Sequence, residues 1–180
     1  MIDSNNQTAI FGGGCFWCTE ATLSELRGVT DVKPGYAGGS MPNPNYDQVC
    51  GGNTGHAEVV QVTFDPTRIS YQDLLDVFFA VHDPTSPNQQ GNDVGTQYRS
   101  VIFYTSDDQK QQAEAFIKKL TDEGAYDGRI VTDVKPLDTF YEAESHHHRY
   151  YQKNPNQAYC QVVINPKLKK LKEKYATLLK

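Results

Sequence analysis

Hydrophobic positions along this chain change period several times, and each change marks a predicted strand or helix. Thr8 to Gly12 reads as a short strand running into three glycines. From Trp17 the spacing of Ala21, Leu23 and Leu26 predicts a helix closed by Gly28. Val29 to Tyr36 follows as a strand and completes a β-α-β unit of the usual right-handed kind. His56 to Phe64 alternates residue by residue, with Glu58, Val60, Val62 and Phe64 on one face and Val59, Gln61 and Thr63 on the other.

Ser70 with Asp73, and Ser106 with Gln109, are helix-start signatures, and the helices they open are expected to end near His82 and Gly124. Strands at Ser100 to Tyr104 and Arg129 to Lys135 flank the second of these helices in another β-α-β unit. Phe140 to Tyr151 reads as a helix, and Pro166 to Leu179 as a final amphipathic helix. Lys153 to Asn165 is left between them as part of a coil-rich C-terminal tail, starting at about residue 152, that carries Cys160. Two polar loops, Ala37 to Gly55 and Asp83 to Gln97, are long enough to be read as builders of a site. Thr-Asp-Val-Lys-Pro stands at positions 30–34 and again at 132–136, too short a match to establish duplication. The fold class expected is α/β or α+β, a mixed sheet with helices.

At 180 residues the chain is expected to form one domain, 1–180. Its net charge of −5 argues against a nucleic-acid or anionic-membrane surface, either of which calls for a clustered basic patch. The lysines at 167, 169, 170, 172 and 174 read as the solvated face of the last helix. No basic region followed by an apolar core opens the chain, and no stretch is long enough to cross a bilayer, so a soluble, cytoplasmic protein is expected. A monomer is the expected state, though no sequence feature fixes it. Four cysteines are too few to staple a secreted scaffold, which turns attention to catalysis or metal binding.

Cys15 is placed at a strand-to-helix turn, where free N–H groups and the helix dipole favour a thiolate and make it a candidate nucleophile. Phe16 and Trp17 beside it suggest an apolar wall for a methyl or thioether group. Cys18 completes a Cys-x-x-Cys spacing, open to a redox disulfide or to half of a zinc site. Zinc needs two further ligands, from Cys50, Cys160 or the run His146-His147-His148; that run reads instead as spread over the solvated face of a helix. Glu58 shares a strand face with three apolar residues, so burial should raise its pKa and suit it to proton donation. Tyr46, Asp93 and Tyr98 sit in the two loops as groups able to bind a polar oxygen. The glycine-rich stretches form no nucleotide-binding pattern. A general dithiol oxidoreductase and a zinc-binding module remain as rival readings.

Several segments resemble the A-type peptide methionine sulfoxide reductases: Gly14-Cys15-Phe16-Trp17, Asn43 to Cys50, Gly55-His56-Ala57-Glu58, Gln90 to Ser100 and Lys153-Asn154-Pro155. The resemblance implies a ferredoxin-like plait, two layers deep, that reduces the S epimer of methionine sulfoxide, free or in proteins. By similarity Cys15 attacks the sulfoxide sulfur, Phe16 and Trp17 hold the methyl group, and Glu58 supplies the proton. Tyr46 and Tyr98 hydrogen-bond the oxygen, and Asp93 orients water or the hydroxyls. Cys15 then ends as a sulfenic acid. Cys160 is the implied resolving cysteine, with Cys18 as the second candidate, and thioredoxin reduces the resulting disulfide. The resemblance implies no metal and no organic cofactor, and Cys50 is a bystander.

Overall fold

A six-stranded sheet frames the computed structural model, which describes residues 5–180. Strand β1 (Gln7–Gly13) leads into helix α1 (Phe16–Leu23), and β2 (Val29–Ala37) follows. A short helix α2 (Tyr46–Cys50) precedes β3 (Ala57–Phe64) and helix α3 (Tyr71–Ala80). A small hairpin, β4 (Gln89–Gln90) with β5 (Asp93–Val94), and a 3-10 turn at Thr96–Tyr98 lead to β6 (Ser100–Tyr104). Helix α4 (Asp107–Asp122), β7 (Asp133–Pro136) and β8 (Tyr141–Glu142) come next. A 3-10 turn at Ser145–His147, α5 (Tyr150–Lys153), a π turn at Cys160–Ile164 and α6 (Asn165–Lys174) complete the chain, with a last 3-10 turn at Ala176–Leu178.

The strand order is β7-β6-β1-β3-β2-β8, and every neighbouring pair is antiparallel except β6 with β7. β1 and β2 are therefore parallel but not adjacent: β3 lies between them, so the first β-α-β unit is split. The alternation expected of β3 holds. Val60, Val62 and Phe64 pack with α1, α3 and α6 in the main core, while Ala57 and Val59 join Ile10, Val101 and Phe103 on the opposite face. Helices cover only the first of these faces, so the molecule has two layers. Ser70 and Ser106 cap α3 and α4, each accepting the N–H of the residue three further on.

Three expectations need correction. The segment 140–151 is not a helix. Tyr141 and Glu142 pair with Tyr36 and Gly35 along the edge of β2, and Phe140 lies over Gly35, where a Cβ would come within 2.4 Å of its ring. Arg149, with φ of 53°, then breaks any helical run. The tail is not coil-rich, because Cys160, Ile164, Leu168 and Leu171 form a buried stripe at helical spacing that docks in the main core. Pro166 lies within the helical run 158–174, and the π turn just before it is where the ladder adjusts to the missing N–H. Finally, the loop 37–55 holds α2, closed by a capping box in which Asn45 and Gln48 exchange hydrogen bonds of 2.8 and 2.9 Å.

The two loops are tied down from buried or half-buried side chains. His56 Nδ1 accepts the N–H of Gly39, and its Nε2 donates to the carbonyl of Met41. Arg99 donates to the carbonyls of Gly55 and Thr96 and so binds one loop to the other. At the same end of the sheet, where Gly13 pairs with Ser100, Gly14 turns the chain into α1 with φ of 98°, and a Cβ there would lie 2.7 Å from Gln90 Cβ and Cγ. Gly14→Ala is expected to lower the unfolding free energy by about 2 kcal/mol. Denaturant titration of the variant against wild type checks this value.

Candidate active site

The turn at Gly14 sets Cys15 as the residue that caps α1, and its carbonyl accepts the N–H groups of Cys18 and Thr19. The next N–H, that of Phe16, donates to Glu58 Oε1 at 3.1 Å. Glu58 projects from the core-facing side of β3, is 1% exposed, and its Oε2 has no partner. Burial is the main cause of a pKa raised to about 8; the Phe16 N–H opposes that rise, and the charges of Asp93 and Cys18 add to it. The Glu58 carboxyl is therefore protonated at neutral pH. With Oε1 accepting from the backbone, Oε2 is the oxygen left to carry the proton.

The thiols differ from the expectation. Burial, the hydrogen bond with Cys18 and the charge of Glu58 push the Cys15 thiol well above its ordinary range. The helix start does not outweigh them. Cys18 is the one lowered, to about 7, chiefly by its hydrogen bond with Cys15. The pair therefore gives up its first proton near neutral pH and holds the second between the two sulfurs. Cys18 Sγ also lies 3.4 Å from the hydroxyl of Tyr159, which donates to Asp93 Oδ2 at 2.7 Å. Cys160 is 0% exposed, and burial raises its thiol. Cys50 is exposed and hydrogen-bonded to Tyr46.

An aromatic cluster stands beside the thiols. The Trp17 indole stacks on Tyr150 with ring centres 3.7 Å apart, and its Nε1 donates to His147 Nδ1 at 3.1 Å. Tyr46 stacks against both Phe16 and Trp17. Its position is fixed by α2 and by its own N–H, which donates to Glu144 Oε2. The histidine run is therefore not a solvated helical face: His147 is 2% exposed and part of this cluster. Burial, with the charge of Glu58 next, raises the phenol pKa values of both Tyr46 and Tyr98, so both hydroxyls remain donors.

A cavity of about 510 Å³ opens between the β4–β5 hairpin and α6. Cys15, Cys18, Asp93, Tyr159, Val162 and Lys167 are among its walls; Cys160 is not. Phe16, Trp17, Tyr46, Glu58 and Tyr98 are not among its walls either; they stand with Cys15 around the start of α1 on the other side of the thiols. Sequence reasoning passes over Tyr159, Glu144 and Tyr150 and reads His147 as solvated. The pattern Ala143-Glu144 followed by His147 carries no periodic signal, and Tyr159 is marked only by its place next to Cys160.

The family model described as peptide methionine sulfoxide reductase matches residues 7–179. A curated peptide methionine sulfoxide reductase MsrA from Deinococcus radiodurans is 56% identical over 174 residues, covering 97% of this chain and 84% of that protein. The crystal structure of Mxr1 from Saccharomyces cerevisiae in reduced form superimposes with a TM-score of 0.79 at 36% identity, covering 88% of this chain and 91% of that one. Mxr1 in complex with Trx2 matches with a TM-score of 0.56 at 25% identity, covering 82% and 86%. The chain belongs to the peptide methionine sulfoxide reductases of the A type, which are thiol oxidoreductases.

Glu58 links the site to stability. Its carboxyl pKa rises from 4.5 to about 8 on folding, so between these values the folded state holds a proton that the unfolded state has released. Stability therefore falls as pH rises through that window. Glu58→Gln keeps the acceptor for Phe16 N–H and has no proton to lose. The variant is expected to match wild type near pH 4 and to be more stable by about 4 kcal/mol near pH 8, read by denaturant unfolding at both values.

Proposed function

We propose that this chain reduces the S epimer of methionine sulfoxide, free or in oxidised proteins, to methionine, with thioredoxin as the reductant. The single observation that carries this reading is a buried, protonated carboxyl, Glu58, whose free oxygen stands beside a hydrogen-bonded thiol pair. Cys15 sulfur attacks the sulfoxide sulfur as its proton passes to Cys18. Glu58 delivers a proton to the sulfoxide oxygen, which Tyr46 and Tyr98 hold by hydrogen bonds, and Asp93 orients the hydroxyl of Tyr159 beside it. The protonated oxygen passes from the substrate sulfur to Cys15 sulfur, the bond formed between the two sulfurs breaks, methionine leaves as the thioether, and Cys15 keeps the oxygen as a sulfenic acid. Phe16 and Trp17 form the wall for the methyl group.

A second thiol then displaces water from that sulfenic acid. The resemblance names Cys160; the hydrogen bond between Cys15 and Cys18, and the burial of Cys160 away from the cavity, favour Cys18. The resulting Cys15–Cys18 disulfide is returned to two thiols by a thioredoxin dithiol, a partner supported by the complex of the relative Mxr1 with Trx2. Every residue used comes from one chain, which suits a monomer. No helix among the described residues is long and apolar enough to cross a membrane, and a cytoplasmic setting suits a cycle that ends in reduced thiols. The same reading takes β6-β1-β3-β2 with α1 and α3 as a ferredoxin-like plait, supported by the β-α-β-β-α-β order and antiparallel pairing.

Single turnover on separated epimers tests the scheme. Only the S epimer should react, and Cys15→Ser should form no methionine. Cys18→Ser, which also lacks the acceptor for the Cys15 proton, should release one methionine more slowly than wild type and stall as a sulfenic acid detectable by mass spectrometry, while Cys160→Ser continues to cycle with thioredoxin. The reverse pattern assigns the step to Cys160, and methionine formed by Cys15→Ser overturns the scheme. The pH profile of kcat/KM should rise through about 7 as Cys18 ionises and fall through about 8 as Glu58 loses its proton. Glu58→Gln should slow turnover by about 100-fold or more.

A further inference from the structure

Beside the aromatic wall, Glu144, His146 and His147 bring one ligand atom each to within 4.8 Å of one another, the one group of metal-binding side chains with this spacing among the described residues. Its central member is out of balance. His147 Nδ1 accepts the proton of Trp17 Nε1, so the neutral ring carries its own proton on Nε2. That atom is buried with no partner, and Glu144 Oε2 stands 4.0 Å away, beyond hydrogen-bond reach. The pair is thus spaced for an ion between them, and His146, exposed on the outer side, offers the third ligand and a route of entry. Glu144 is already held by the hydroxyl of Tyr36 and the N–H of Tyr46, which leaves lone pairs on both carboxylate oxygens.

We propose that Glu144, His146 and His147 bind a divalent transition-metal cation of the zinc class, and that occupancy blocks turnover by releasing Trp17. Two imidazoles and a carboxylate form a ligand set suited to zinc rather than to magnesium or calcium. Burial and the neighbouring His146 hold His147 neutral, the state a metal requires. Coordination through Nε2 moves the ring proton to Nδ1. Nδ1–H then faces the Trp17 indole N–H, donor against donor, and the hydrogen bond that fixes the indole is lost. The inhibitory half of this inference rests on Trp17 being the substrate wall; the binding half does not.

Trp17 is the sole tryptophan of the chain, so its indole N–H gives a single resonance in a nitrogen–proton spectrum. Zinc chloride titrated into the Cys15→Ser/Cys18→Ser protein, in which the competing thiol pair is removed, should shift that resonance at micromolar concentration, with reversal by chelator. His146→Ala, which touches no reacting group, should need about tenfold more zinc or greater. In protein with all four cysteines, zinc should inhibit methionine sulfoxide reduction, and His146→Ala should keep its metal-free rate while resisting the inhibition. An unmoved indole resonance at millimolar zinc, or an equal response in His146→Ala, overturns the site. A shifted resonance with unchanged turnover overturns the inhibitory step. A shifted resonance in a protein with no sulfoxide reductase activity leaves the metal site standing and removes the proposed function instead.

Discussion

The hydrogen bond from Phe16 N–H to Glu58 Oε1 joins the first turn of α1 to the middle strand of the sheet. It determines which carboxyl oxygen carries the proton, and it draws the cysteine-bearing turn onto β3. Everything chemical in the molecule is arranged around that junction. Gly14 allows the chain to reach it, α2 carries Tyr46 to one side, and the loop ending in Tyr98 is tied to the other by Arg99. A buried carboxyl with one free oxygen lowers stability at neutral pH, and the fold retains it where a sheet and three helices over-determine its position.

Burial raises the pKa of the carboxyl and of the thiols alike, and the hydrogen bond within the thiol pair is what separates their roles. Glu58 keeps its proton because the interior disfavours its anion. The thiol pair ionises near neutrality because one thiol donates to the other, which offsets the same desolvation. A proton donor and a thiolate therefore coexist within a narrow pH range, a condition that isolated carboxyl and thiol groups, with pKa values near 4 and 8.5, meet only in the reverse protonation states.

Much of this frame is legible in the sequence. The residue-by-residue alternation of β3 places Glu58 on the core face, and Ser70 and Ser106 announce α3 and α4 through their own side chains. Gly14 and Cys15 mark a strand-to-helix turn without any further context. What escapes the sequence depends on partners far along the chain. His147 is buried by Trp17, 130 positions away, and no local period reports this. Tyr141 and Glu142 become a strand only because β2 presents an edge. The coupling of the two thiols follows from the hydrogen bond between them inside a desolvated interior, which requires the whole core. The docked tail was partly within reach: Cys160, Ile164, Leu168 and Leu171 already stand at helical spacing, hidden by the proline at 166.

The cavity between the β4–β5 hairpin and α6 is about the size of one long side chain and its flanking peptide groups. Cys15 itself is 7% exposed, so a methionine held in the core of a folded protein does not reach its sulfur. On the proposed function, the side chain must leave its own structure first, so repair of a structured target waits on that target's local opening equilibrium. Oxidised methionines in frayed termini and loose loops are then served at once, whereas one held in a rigid helix is reached only in the small fraction of molecules that are open. On that reading, the order in which proteins are repaired follows their own flexibility.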